Sequence, residues 1–521
     1  MSAAQPNIVY ILGDDHRADY LGFGGHPVLR TPNLDQLAAD GVSFTNAFCT
    51  SPACTPSRTC HYLGQWERCH GVNFNSNSAV SPDAWDRSFP MVLKRQGYFL
   101  GWVGKNHVPV GAGGYGSGHL ESVFDYWYGN HGHSGFYPKE QAADGAIYRN
   151  ARSDTQVEVF EEGVMNFLDP SEDFLSYRGG TDDYSSLERR PPDRPFCLCV
   201  TFNLPHGVGT GNMQLRPSDD PLYRDAYRDR QHMLQLPRTY MDFDTAYANP
   251  RLPRNVYSGL YIPQYDYVKQ PAFLRERQVR TCQTVSGIDR FIGNLRTKLD
   301  ELQIGDNTII VFSTDHGLHH GEHGLGGKCF LYEEDIRVPL VIYDPHLPRQ
   351  LRGRRIDAFV VVPDLAPTVL QLVDAGVPDE MQGRSLAALL KGDETPGDWR
   401  SHIFTEQLMD IQNYPRSESV RSDRWKYIRY FARTEDPRQS SRAYRGTLDD
   451  YDACLLSTLR GEEPVFEELF DLHNDPHEET NCAMDRSYAS VIEQQRVLCT
   501  QSGLNVTSRS GVPDTVRLNT G

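Results

Sequence analysis

The chain has 521 residues, with 52 Lys+Arg against 69 Asp+Glu and a formal net charge of −17. Hydrophobic residues make up 39% and charged residues 23%, a balance that supplies a sizeable core and excludes a disordered or fibrous chain. The acidity argues against a nucleic-acid binder, which needs a basic footprint. No stretch approaches the roughly 18 apolar residues of a membrane span. The opening segment has only the short apolar run Ile8 to Leu12 and no basic flank, so the expectation is a cytoplasmic protein. Eleven cysteines lie between Cys49 and Cys499 without a repeated spacing, which favours reduced thiols over a disulfide framework.

Short apolar runs followed by polar or glycine-rich turns read as buried parallel strands. In chain order they are Asn7–Gly13, Tyr98–Gly104, Phe196–Asn203, Thr308–Thr314 and Val338–Asp344. Between the third and fourth, Val285, Ile288, Ile292, Leu295, Leu299 and Leu302 recur at helical spacing, with Gly305 placed to stop the helix. The alternation predicts an α/β fold, a large mostly parallel sheet sandwiched by helices, over residues 1–400. Aperiodic loop insertions are expected around 111–280, the stretch Gly111–Arg194 being rich in Gly, Tyr, His and acidic residues. Within it, Tyr115, Tyr126, Trp127 and Tyr128 are candidates for a sugar-stacking platform. Ser419–Phe431 alternates like an antiparallel strand pair and Leu469–Leu472 reads as another strand. Residues 401–521 are therefore expected to form a smaller α+β unit with an antiparallel sheet.

Reactive residue types cluster where the predicted strands end. The first strand runs into Asp14-Asp15, the second into Lys105-Asn106-His107, the third into Leu204-Pro205-His206 and the fourth into Asp315-His316-Gly317. In an open parallel sheet, ligands bind at the carboxyl ends of the strands, so these turns can share one crevice. Carboxylates beside Lys and His describe a hard-metal site next to an anion site. His319, His320 and His323 fit no zinc-ligand spacing and read as loop residues near that site. The segment Cys54-Thr55-Pro56-Ser57-Arg58 places a cysteine at a helix start, where the dipole favours an anion, with a permanent cation one turn on. A nucleophile needs such activation.

C-T-P-S-R resembles the Cys-x-Pro-Ser-Arg signature of the type I sulfatases, in the alkaline phosphatase-like superfamily. N-I-V-Y-I-L-G-D-D-H-R-A-D-Y-L-G, V-G-K-N-H, L-P-H, S-T-D-H-G, G-E-H-G-L-G-G-K and F-D-L-H-N-D-P-H-E-E-T-N are similar to further blocks of that family, in the same order. The resemblance implies a hydrolase of sulfate esters, carbohydrate sulfates first among them. It also implies maturation of Cys54 to formylglycine by a formylglycine-generating enzyme. The hydrated aldehyde would attack sulfur, and its second hydroxyl would then expel sulfate. By the same resemblance Asp14, Asp15, Asp315 and His316, with modified Cys54, would hold one divalent metal ion, by precedent Ca²⁺. His316 stands where many sulfatases carry Asn, and an imidazole suits Mg²⁺ or Mn²⁺ equally well. Arg58 and Lys105 would hold the diol and sulfate oxygens. His107 would orient the diol or take its proton, and Lys328 and His206 would flank the sulfate and the leaving group. Rival readings are a phosphonate monoester or phosphodiester hydrolase of the same superfamily, a sulfamate hydrolase, and a catalytically silent binding protein.

Overall fold

The computed structural model describes residues 5–73, 78–141, 148, 151–169, 188–208, 213, 215–257, 263–392, 396–408, 414–432, 461–507 and 515–517. Its main sheet contains eight strands: β1 (Asn7–Asp14), β2 (Val42–Phe44), β3 (Phe99–Asn106), β4 (Tyr126–His131), β5 (Phe196–Pro205), β6 (Thr308–Thr314), β7 (Leu340–Tyr343) and β8 (Arg354–Ile356). They lie in the order β8-β2-β7-β6-β1-β5-β3-β4. The pairs β6/β1, β1/β5, β5/β3 and β3/β4 are all parallel, so the carboxyl ends of these five strands share one edge of the sheet.

The apolar runs are continuous because both sheet faces are covered. Val9 and Ile11 of β1 face Val157, Phe160 and Val164 of α3 (Gln156–Leu168) and Ile288, Phe291, Ile292 and Leu295 of α4 (Pro271–Glu301), with Leu34 and Leu37 of α1 (Pro32–Asp40). Ile8 and Tyr10 point the other way, toward the cluster holding Cys60, Tyr62 and Leu63 of α2 (Cys54–Leu63). Each strand thus buries both of its side-chain rows, as a parallel sheet requires.

Three expectations need correction. The run Val338–Asp344 does form a strand, but β7 pairs antiparallel with both β6 and β2. A parallel neighbour needs a crossover that carries the chain back to the start of the sheet. Here residues 315–339 stay at the carboxyl edge, and the chain re-enters the sheet from that end. Helix α4 begins at Pro271 and stops at Glu301. Gly305 does not cap it but opens a 3₁₀ turn, Gly305–Asn307. Among the described residues, the stretch 111–194 is not all loop: it holds β4 and α3, and Tyr126, Trp127 and Tyr128 are buried in β4. Trp127 stacks on Trp102 at 5.5 Å and belongs to the core rather than to a sugar platform. Residues 170–187 of that stretch lie outside the described residues.

The second sheet contains β9 (His402–Gln407), β10 (Ser417–Ser422), β11 (Trp425–Tyr430) and β12 (Phe466–Asp471), all antiparallel in that order. Helix α5 (Ala489–Asn505) packs against it. The sheet's buried residues Ile403, Phe404, Val420 and Tyr427 join the same apolar cluster as α2. Arg68, shortly after α2, anchors that segment to the second sheet through Glu406 at 2.5 Å and Glu418 at 2.6 Å, all three side chains being buried. Removing one partner of such a network leaves uncompensated charge inside the protein. Arg68→Met is therefore expected to destabilise the fold by about 3–5 kcal/mol, read as a lowered midpoint in chemical denaturation. The ten cysteines among the described residues are free thiols, and no described helix is long and apolar enough to cross a membrane.

Candidate active site

The carboxyl ends of β1, β3, β5 and β6 bring the sequence-predicted residues into one crevice. Strand β1 ends on Asp14, and Asp15 then takes a left-handed backbone, φ 61°. In a continuing strand the two carboxylates would face opposite sides; this turn lets both reach the crevice. Lys105 lies near the end of β3, and its Nζ donates to Asp14. Beyond β6, Asp315 and His316 approach from the other side of β1, with no solvent exposure at either residue.

Cys54 is the first residue of α2, and no side chain caps that helix start. Its Sγ lies 2.7 Å from Lys328 Nζ, 3.4 Å from His316 Nε2 and 3.6 Å from Asp14 Oδ1. Arg58, one turn along α2, donates from Nε to Asp315 Oδ2 at 2.9 Å and from Nη2 to Asp14 Oδ2 at 3.1 Å. Ser57 Oγ donates to the Asp315 carbonyl at 2.5 Å. Lys328 follows a short antiparallel ladder between His319–His320 and Gly326–Gly327, and its Nζ also donates to Asp15 Oδ1 at 3.1 Å.

His319, His320 and His323 are engaged with other side chains. His319 Nδ1 bonds Asp335 at 2.7 Å, His320 Nδ1 lies 3.0 Å from Tyr20 Oη, and His323 stacks on Tyr332.

The charges explain how so many ionised groups sit together in a buried crevice. Burial pushes the Asp14 carboxyl up, but the Lys105 charge first, with Arg58 and Lys328, outweighs it and holds its pKa well below the usual range. Asp15 is raised by burial, with the Asp14 charge adding to the effect. Burial works against a charged His316, yet Asp315 overrides it and draws the imidazole up to about 9. For Lys328, Asp15 and Cys54 overcome burial and hold the ammonium charged. Burial and the lysines push His107 and His206 well below the ordinary histidine value, so both are neutral.

The donor atoms of Asp14, Cys54, Asp315 and His316 all lie within 4.8 Å of one another, close enough for one ion. Two carboxylates and an imidazole suit a hard divalent cation, and Asp15 stands beside them. His316 Nδ1 bonds the Gly317 carbonyl at 2.8 Å, which turns Nε2 toward Cys54, the orientation a metal ligand needs. Gly317 itself has no room for a side chain: a Cβ there would meet the Glu334 carbonyl oxygen at 1.9 Å. Gly317→Ala is expected to displace His316 and weaken divalent-metal affinity by about 10- to 100-fold, measured by calorimetric titration.

His107 and His206 stand on the outer side of the crevice, where rings pack in series. Tyr115 stacks on His107 at 5.8 Å, His107 meets His133 edge-on at 5.0 Å, and His133 stacks on His206 at 4.4 Å. Of the expected aromatic platform, Tyr115 is the member that borders the site. Sequence reasoning missed His133, Asn203 and Arg277. Asn203 Oδ1 lies 3.0 Å from His133 Nδ1, and the Arg277 charge acts on Asp15 from α4. A signal for His133 exists in the sequence: H-G-H-S-G follows the strand β4, but the composition around that strand reads as loop.

A family profile described as Sulfatase matches residues 6–375. The chain belongs to the sulfatase family. It is a sulfuric ester hydrolase, and the crevice just described lies within the matched region. A second profile, for the C-terminal part of N-sulphoglucosamine sulphohydrolase, matches residues 321–438. Among curated relatives, an N-acetylglucosamine-6-O-sulfatase of Bacteroides thetaiotaomicron is 25% identical over 93% of this sulfatase and 84% of its own length. An arylsulfatase of Clostridium perfringens is 27% identical over 94% and 93%. Of solved structures, a protein in complex with its substrate D-glucosamine-2-N,6-O-disulfate superimposes with a TM-score of 0.65 at 22% identity, covering 98% of this chain and 99% of that one. The phosphonate monoester hydrolase of Agrobacterium radiobacter superimposes with a TM-score of 0.64 at 21% identity, covering 96% of each chain. These two likenesses establish the alkaline phosphatase-like fold.

Proposed function

We propose that this sulfatase cleaves a carbohydrate sulfate ester at a nucleophile made from Cys54, beside one divalent cation. The observation that carries the reading is the buried setting of Cys54: at a helix start, in contact with Lys328, His316 and Asp14. The names of the relatives support an amino-sugar sulfate as the first substrate to test. The matched sulphohydrolase profile keeps an N-sulfate beside the O-sulfate in that test.

In this reading Cys54 is converted to formylglycine, whose hydrate supplies an oxygen nucleophile where a thiol would not serve. Asp14, Asp15, Asp315 and His316 would hold the cation, Ca²⁺ or in its place Mg²⁺ or Mn²⁺, which would polarise a sulfate oxygen. The protein's own residues do the rest. Arg58, locked by two carboxylates, and Lys105, locked by one, fix the nucleophile and the equatorial oxygens without rearrangement. Lys328 keeps its proton and clamps the sulfate. His107 takes the proton that the diol loses. His206 faces the leaving group. Burial and then the Lys328 charge hold His206 neutral; an arriving anion offsets the Lys328 part, which raises its proton affinity as the leaving oxygen needs a donor.

Local electrostatics also account for anion binding by a protein of net charge −17. Asp14, Asp15 and Asp315 are matched within the crevice by Arg58, Lys105 and Lys328. A divalent cation therefore makes the pocket positive. Carboxylates more than about 10 Å away on the surface are largely screened at physiological salt.

A specific residue favours a second reading, phosphonate monoester hydrolysis: the Asp315-His316 pair is also the arrangement implied for that branch of the superfamily. One experiment separates the two. The protein is co-expressed with a formylglycine-generating enzyme and conversion of Cys54 is confirmed by mass spectrometry. Turnover of 4-nitrophenyl sulfate, glucosamine sulfates and an aryl phosphonate monoester is then compared before and after chelation. Sulfate turnover lost on chelation and restored by one of the three ions is expected. Preference for the phosphonate by orders of magnitude would replace the lead reading with the second.

A further inference from the structure

The series of rings at the mouth of the crevice includes His133, whose Nε2 has no protein partner among the described residues. His133 is held from behind. Its Nδ1 lies 3.0 Å from Asn203 Oδ1 and 3.4 Å from Lys105 Nζ, and its face is stacked on His206. Asn203 is fully buried, and its backbone N donates to Gln156 Oε1 at 2.8 Å. We assign Nδ1–H as the donor to Asn203 Oδ1, the shorter contact, with Lys105 Nζ a neighbouring charge rather than a donor to it; that tautomer puts the lone pair on Nε2. His133 is an exposed residue. Two further buried atoms at this place, His206 Nδ1 and Asn203 Nδ2, also lack a hydrogen-bond partner. Buried polar atoms are normally satisfied, and these lie together where a substrate would enter.

We propose that His133 is a specificity-determining residue: its Nε2 accepts a hydrogen bond from a hydroxyl or amide N–H adjacent to the sulfated position of the substrate. The inference rests on the sulfatase reading above and extends it from the sulfate to the alcohol. Packing around the ring, then the Lys105 charge, lower the His133 pKa from the ordinary histidine value, which favours the neutral, accepting imidazole. An anchored acceptor beside the leaving group discriminates in favour of a polyol or amino sugar. It gives an aryl alcohol nothing to bond, because the ring position next to the sulfate ester carries only C–H. The neighbouring Tyr115–His107 stack supplies a flat wall for the same sugar ring.

The test uses the full-length, Cys54-converted protein and three variants, His133→Phe, His133→Ala and His133→Gln. The probes are the best-turned-over member of a set of glucosamine sulfates, its analogue lacking the neighbouring hydroxyl or amide, and 4-nitrophenyl sulfate. Phe keeps a ring stacked on His206 but removes the acceptor, and thermal unfolding confirms that each variant folds. With His133→Phe, kcat/KM for the sugar sulfate is expected to fall about tenfold more than for the aryl sulfate, chiefly through KM. Gln should restore part of the loss. The wild type should lose a similar factor on the deoxy or deamido analogue, and His133→Phe should lose no more on that analogue. Equal losses on sugar and aryl sulfate, or an undiminished effect of His133→Phe on the analogue, would overturn the assignment of His133 while leaving the sulfatase reading intact. A wild type that turns over no sulfate at all would overturn both. A wild type active on the aryl sulfate but on none of the sugars would overturn this inference alone.

Discussion

Cys54→Ala is expected to abolish sulfate-ester turnover, by at least about 10⁴-fold in kcat, while the thermal unfolding midpoint moves little. The size follows from the role: removing a covalent nucleophile leaves only the binding and electrostatic contributions of the pocket. The small structural cost follows from the side chain, one sulfur larger than alanine, at the first position of α2, where it supports no helical hydrogen bond. Cys54→Ser is the sharper comparison, because an unoxidised hydroxyl in the same place keeps the size but lacks the second hydroxyl of an aldehyde hydrate. Its expected activity is a slow first turnover without steady-state release. Activity in Cys54→Ala within tenfold of the wild type would remove Cys54 from the mechanism. Mass spectrometry of the Cys54 peptide in each preparation ties the result to the modification rather than to the cysteine alone.

The second large effect is expected at Lys328. Lys328→Ala should lower kcat/KM by about 10²- to 10³-fold, the usual cost of deleting one preorganised group that stabilises developing charge in a dry site. Its Nζ touches Cys54 and Asp15, so the deletion also leaves Asp15 without its nearest cation. Lys328→Arg should not rescue it. A guanidinium is planar and longer than an ammonium, and the positive-φ glycine before Lys328 already packs against Tyr265 and Tyr414. The two effects should be strongly non-additive in the double variant, because both residues act on the same step. Losses that simply multiply would mean that Lys328 acts independently of Cys54.

Much of the site is legible in the amino-acid sequence. Four apolar runs each end in charged or imidazole residues, and the rule that parallel strands present ligands at their carboxyl ends is enough to group Asp14, Lys105, His206 and Asp315. The helix start at Cys54 is legible from Pro56 and from the position of Arg58. What escapes are features set by partners distant in sequence. Tyr126, Trp127 and Tyr128 have the composition of a sugar platform, yet strand β4 pairs with β3 and buries them. Reading that strand as loop hides His133, which β4 carries to the mouth. The direction of β7 is equally invisible, because an apolar run reads the same in both directions.

The residue types and their order point to the proposed chemistry: carboxylates suited to a hard cation, a cysteine at a helix start, permanent cations and neutralisable imidazoles. These are properties of side chains and of local backbone, and they survive in one dimension. The tertiary structure decided how the charges balance and which groups meet the substrate. Asp14 is held ionised because Lys105 and Arg58 arrive from a strand and from a helix far along the chain, and Coulomb energy in a water-poor crevice depends on separations of a few ångströms. Those separations come from strand order and register, which no local pattern encodes.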